Sequence, residues 1–205
     1  MHGDLTCDAG MDAIVERVLA AAPDRFALAG LSMGGIAAMH VVGRAPGRVT
    51  RLALLDTNHL ADAPERRPVR ERQIEAVRQG GLREVIVDEM KPQYLAEGHA
   101  GDRALLDALI AMALDLGPDV FVRQSLALLE RGDATPALQR WSGEGRPTLV
   151  MCGAEDRLCP PERHRAIHAL VPHATLSVLP GTGHIATLEA PEAVSAAMAA
   201  WLGEV

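Results

Sequence analysis

The chain has 205 residues, 48% apolar and 23% charged, which suits one α/β domain with a substantial core. Its formal net charge is −7, Lys91 is its only lysine, and no basic run is present; such a chain is a poor partner for nucleic acid or an anionic membrane. There is no basic-then-apolar leader, no apolar stretch of membrane-spanning length and no paired metal spacing among Cys7, Cys152 and Cys159, so the expectation is a cytoplasmic protein with reduced thiols.

Aromatic residues make up only 2%, so the core must come from Leu, Val, Ala, Ile and Met. In chain order, residues 9–22 predict a helix. Asp8 can cap it, and Met11, Ile14, Val15, Val18 and Leu19 recur at helical spacing. Residues 25–29 form a short apolar run, which predicts a strand buried on both faces of a parallel sheet. A tight turn is expected over 30–35, a helix over 33–44 and a second strand over 49–55, ending at Asp56. This is a βαβ unit, for which a right-handed crossover is the rule.

Residues 60–140 differ in texture. They contain no convincing strand, and helical patterns fall at about 69–79, 82–90, 102–115 and 119–131 between Gly- and Pro-bearing breaks. The expectation is a helical cap inserted over a core formed by 1–59 and 141–205. The α/β rhythm then returns with a strand over 147–152, a loop over 153–161, a helix over 162–170 and a strand over 174–179. A loop at 180–184 and a helix over 191–202 complete the pattern. That makes about four parallel strands with crossover helices.

Gly30-Leu31-Ser32-Met33-Gly34 is a GxSxG sequence with a strand expected before it and a helix after it. A serine hydroxyl needs a base to take its proton, a group to orient that base, and donors for the oxyanion. In a nucleophile elbow the serine occupies a sharp strand-to-helix turn. Gly30 and Gly34 are expected beside it because side chains there would clash with the neighbouring strand and helix. The Met33 N–H, at the helix N-terminus, is the candidate oxyanion donor. Asp156, in the loop after the third strand, is the candidate acid, with Glu155 and Asp56 as competitors. His184 follows the last strand in a glycine-flanked loop and is the candidate base. The order Ser32, Asp156, His184 is shared neither by chymotrypsin-like nor by subtilisin-like enzymes.

The runs Phe26 to Gly35, Leu52 to Asp56, Thr148 to Asp156, Gly183-His184 and Glu189 to Pro191 resemble the α/β-hydrolase superfamily. Within it, the chain is similar to small bacterial esterase-like members. The resemblance runs from about residue 10 to the end. It implies the triad Ser32, Asp156 and His184, an acyl-enzyme route with no cofactor or metal, and a cap that shapes the choice of a small-molecule substrate. It also implies further strands before the elbow strand, and a loop, often carrying His-Gly, that supplies a second oxyanion N–H. The fold expected is thus an α/β-hydrolase sheet lacking its first strands. His2-Gly3 mimics that loop motif by coincidence. The 25–29 strand would then be an apolar sheet edge through which copies of the chain could associate.

Two other readings stay open. One is a catalytically impaired hydrolase fold that binds a small molecule or a protein. The other places a cofactor-free haloperoxidase, a C–C hydrolase or a lyase on the same triad. Elsewhere, the expected cap offers Arg123, Gln124, Arg131 and Asp133: Gln124 is expected on a helix surface, with a pocket as the alternative, Arg131 and Asp133 in ion pairs or a helix end, and Met112 in the core. Met33 is a candidate pocket residue. His40, His59, Asp4 and Asp8 carry no motif.

Overall fold

The computed structural model describes residues 1–203. The chain begins with α1 (Met11–Ala21), β1 (Phe26–Leu31), α2 (Met33–Arg44) and β2 (Val49–Leu55). A helical stretch follows: α3 (Arg67–Arg78), the single turn α4 (Leu82–Glu84), a π-helical turn (Val85–Met90), α5 (Arg103–Leu116), α6 (Pro118–Leu129) and α7 (Thr135–Ser142). The rest is β3 (Thr148–Gly153), α8 (Pro161–Leu170), β4 (Thr175–Leu179), α9 (Ala186–Glu189) and α10 (Pro191–Leu202). The four strands form one wholly parallel sheet in the order β1-β2-β3-β4. This is the α/β hydrolase fold.

The middle of the sheet is covered on both faces, and the two-residue period of its strands sorts the side chains. On one face Leu52, Leu54 and Val150 join the main core with α1, α2, α7 and α8. On the other, Ala53, Leu55, Leu149 and Met151 pack with Ala186, Val194 and Trp201 of α9 and α10. β3 is buried along its whole length. A third cluster lies among the helices between β2 and β3, where Val77, Leu82, Val85 and Ile86 meet Ile110, Phe121 and Val122.

Several expectations need correction. β1 runs on to Leu31, because Gly30 and Leu31 still pair with Leu54 and Leu55; the turn is confined to Ser32. β1 is also not buried on both faces. It is the edge strand that the resemblance implied, and Ala27 and Ala29 are exposed. A cavity of about 510 Å³ runs beside it, lined by Phe26, Leu28, Ala38, Val41 and Trp201 together with His2 and Gly3. The helix expected over 82–90 is mostly π-helical, and Pro92 follows directly after Lys91 at its end. α7 and α9 were not foreseen, and Met112 is 59% exposed, outside any core cluster.

Candidate active site

The strand-to-helix turn puts Ser32 at φ +51°, ψ −116°, a backbone state that L-residues adopt only at a cost of about 1–3 kcal/mol. Its neighbours hold it there. The Ser32 N–H donates to Leu55 O at 2.9 Å, and Thr57 Oγ1 donates to Ser32 O at 2.8 Å. The glycine requirement falls on Gly30, as expected, but on Gly35 in place of Gly34. A Cβ at Gly30 would lie 2.2 Å from Gly34 O, so no side chain fits. One at Gly34 would meet nothing within 4 Å. It is Gly35 that is pressed against a neighbour, with Thr57 Oγ1 2.6 Å from where its Cβ would be.

Three side chains from separate loops meet at the C-terminal end of the sheet. His184 Nε2 lies 2.8 Å from Ser32 Oγ, and His184 Nδ1 lies 2.9 Å from Asp156 Oδ2. The other oxygen of Asp156 accepts the N–H groups of Leu158 at 2.9 Å and Cys159 at 2.8 Å, closing the 153–160 loop on itself. Asp156 and His184 are buried. Met33 is the first residue of α2, where backbone N–H groups have no partner within the helix. His2 and Gly3 lie along the outer side of β1, and no hydrogen bond among the described residues joins them to Ser32.

The two competing acids are held elsewhere. Glu155 Oε2 accepts the Glu97 N–H at 2.9 Å. Asp56 is fully buried at φ +44°, and its oxygens accept the N–H of Gly153 at 3.0 Å and of Ala186 at 3.1 Å. It therefore ties the loop bearing Asp156 and the segment after His184 to the end of β2. Burial is the main cause that pushes its pKa up to about 7, against the opposing pull of His184. Beside it, the Thr57 N–H donates to His164 Nε2 at 2.8 Å, so the ring proton sits on Nδ1, facing Pro160 O at 3.4 Å. Burial lowers the His164 pKa to about 4 and keeps the ring neutral.

Residues between β2 and β3 complete the surroundings of His184. Tyr94 O accepts the His184 N–H at 2.7 Å, and the Tyr94 ring centre is 5.7 Å from the imidazole. Glu189 accepts the N–H of Ala96 at 2.8 Å with one oxygen and that of Gly183 at 3.0 Å with the other. Sequence reasoning missed the contacts of Tyr94, which sits in no motif and acts across a long loop, and those of Glu189, which lies in a run carrying the resemblance but whose bond to Ala96 spans 93 positions.

Ligand atoms of Asp156, Cys159 and His184 come within 4.8 Å of one another, an arrangement that could hold a metal ion. Yet Asp156 is already shared among three donors, and burial pushes the Cys159 thiol far up, keeping it protonated and a poor ligand. The remaining candidates are structural. Arg123 and Gln124 donate to Thr6 O and Leu5 O. Arg131 pairs with Asp62 at 3.0 Å, and Asp133 accepts the Thr135 N–H at the start of α7. Asp4 bonds Thr6, and Asp8 pairs with Arg17. His40 and His59 each keep a buried ring nitrogen without a partner among the described residues. Met33 packs against the main core. No helix among the described residues is long and apolar enough to cross a membrane.

Comparison with known proteins points the same way. The profile of the alpha/beta hydrolase family matches residues 2–197. A pimeloyl-[acyl-carrier protein] methyl ester esterase from Xanthomonas oryzae is 30% identical over 201 residues, covering 94% of this chain and 76% of that protein. A dihydrolipoyllysine-residue acetyltransferase component of an acetoin cleaving system from Pseudomonas putida is 31% identical over 179 residues. That match covers 85% of this chain but only 45% of the longer protein. Among solved structures, a thermophilic esterase from Thermogutta terrifontis superimposes with a TM-score of 0.87 at 30% identity, covering 96% of this chain and 73% of that one. A profile match over nearly the whole chain, on a parallel sheet with a GxSxG turn at its carboxyl end, means that the chain belongs to the alpha/beta hydrolase family.

Proposed function

We propose that this chain is a serine hydrolase that cleaves an ester or a related acyl bond of a small molecule. The observation that carries the reading is the continuous contact from Ser32 Oγ through His184 to Asp156, at 2.8 and 2.9 Å. Ser32 attacks the acyl carbon while its proton passes to His184 Nε2. The Asp156 carboxylate accepts the Nδ1–H, fixes the tautomer and stabilises the imidazolium that forms. The Met33 N–H donates to the oxyanion from the first turn of α2, where the helix dipole adds to it. His184 then returns its proton to the leaving alcohol, and water repeats the sequence to release the acid. Similarity to esterases in sequence and in structure supports acyl chemistry for this site.

The test is hydrolysis of p-nitrophenyl butyrate, with labelling by a fluorophosphonate probe. The wild-type chain should turn over and label. Ser32→Ala should lose about 10⁴-fold or more in kcat and all labelling, with an unchanged melting temperature. Equal turnover by the two proteins would sink the proposal.

A further inference from the structure

A second cavity, of about 560 Å³, lies among the helices between β2 and β3. Arg83, Val87 and Lys91 form one wall. They are spaced four residues apart along α4, the π-helical turn and the 3-10 turn that Lys91 opens. Arg103, Leu106, Asp107 and Ile110 of α5 form the facing wall, at helical spacing i, i+3, i+4 and i+7. Leu95 and Arg157 close it. None of Ser32, Met33, Asp156 or His184 lines it.

The lining has two characters. Val87, Leu95, Leu106 and Ile110 give it an apolar body, while Arg83, Lys91, Arg103 and Arg157 set four cations around it against the single carboxylate of Asp107. Among the described residues none of these four cations makes an ion pair. Lys91 decides the matter, being only 5% exposed. Its ammonium has no carboxylate partner, only the Tyr94 ring face at 5.1 Å. Burial alone lowers its pKa to about 8, so it is still mostly charged near neutrality. A lysine this largely buried, its ammonium without a counter-charge, is an unfavourable arrangement. It becomes favourable when an anion enters the cavity beside it.

We infer that this cavity is a binding site, distinct from the catalytic serine, for a small amphiphile with an anionic head on a short apolar chain. The head is held by Lys91 with Arg83, Arg103 and Arg157, and the chain by Val87, Leu95, Leu106 and Ile110. The head chemistry shared by carboxylates and phosphate monoesters fits a ring of guanidinium and ammonium groups.

Isothermal titration of the intact chain tests this with octanoate, octyl phosphate and octan-1-ol. Octanoate or octyl phosphate should bind at least tenfold more tightly than the neutral alcohol, and whichever binds more tightly identifies the head. Lys91→Met, which fills the same apolar space without charge, should weaken that binding at least tenfold. Arg103→Gln, on an exposed helix position, should weaken it about threefold or more with an unchanged melting temperature. Asp107→Asn should strengthen it. Equal affinity for octan-1-ol, no binding of either anion, or unaltered affinity in both Lys91→Met and Arg103→Gln would overturn the assignment.

Discussion

One carboxylate, Asp56, holds two loops of the site at once, and its burial makes its charge costly. Its ordinary pKa is 3.8, but within the fold it rises to about 7. Between these values the folded chain keeps a proton that the unfolded chain releases. The contribution of Asp56 to stability is therefore fully present below pH 4 and is lost as the pH rises through 7. His164 acts in the opposite sense: its pKa falls from 6.5 to about 4, so its contribution is present above pH 6.5 and is lost as the pH falls toward 4. Because the two gradients oppose each other, the wild-type melting curve alone hides both. Asp56→Asn removes only the first, and asparagine tolerates the positive φ. Relative to wild type, this variant should gain stability between pH 5 and pH 8, on the order of a few kcal/mol. A difference in melting temperature that is the same at both pH values would contradict this. Asparagine can accept only one of the two N–H groups, so kcat for the proposed ester hydrolysis should fall roughly 10–100-fold through misplacement of His184 and Asp156, with KM little changed.

At the scale of elements, the turn at Ser32 can be probed by adding single methyl groups. Gly30→Ala would drive a Cβ into the backbone carbonyl of Gly34, so it should cost several kcal/mol, on the order of the worst overpacked cores, or prevent folding. Gly34→Ala meets open space inside α2 and should leave the stability unchanged or raise it by up to about 1 kcal/mol. Urea denaturation of the two variants checks the contrast. The GxSxG pattern alone makes both glycines look equally constrained, but the fold of the turn itself decides: Gly30 faces the Gly34 carbonyl, whereas Gly34 faces open space. Distance along the chain separates what was legible from what was not. Ser32, Asp156 and His184 each stand just past a recognisable strand, so local patterning finds the loops that carry them. The bonds of Asp56 to Ala186, of Tyr94 to His184 and of Glu189 to Ala96 cross 130, 90 and 93 positions, and no periodicity encodes them. α9, with four residues, is too short to show a period, and Pro136 in the first turn of α7 reads as a loop signal although proline is well suited to that place. β1 was legible in part: its place at the sheet edge follows from the resemblance, whereas its apolar run taken alone reads as a strand buried on both faces.

For the whole molecule, the sheet sets a gradient of protection. β3 is buried throughout and β2 nearly so, whereas β1 and β4 form the two edges. Native-state hydrogen exchange should therefore find the slowest amides in β2 and β3, with β1 and β4 opening earlier. Uniform protection across the four strands would speak against the arrangement. The stretch around Tyr94 matters at this scale too. A Cβ on Gly183 would come within 2.5 Å of Tyr94 O and 2.6 Å of Ala96 N, so the loop carrying His184 and the stretch at 94–96 fit together with no room to spare. This bears on engineering by recombination. A chimera that takes the helices between β2 and β3 from another hydrolase should keep 94–96 and 183–189 from a single parent. Splitting that pair between parents would replace a matched joint with a clash or a gap directly behind His184.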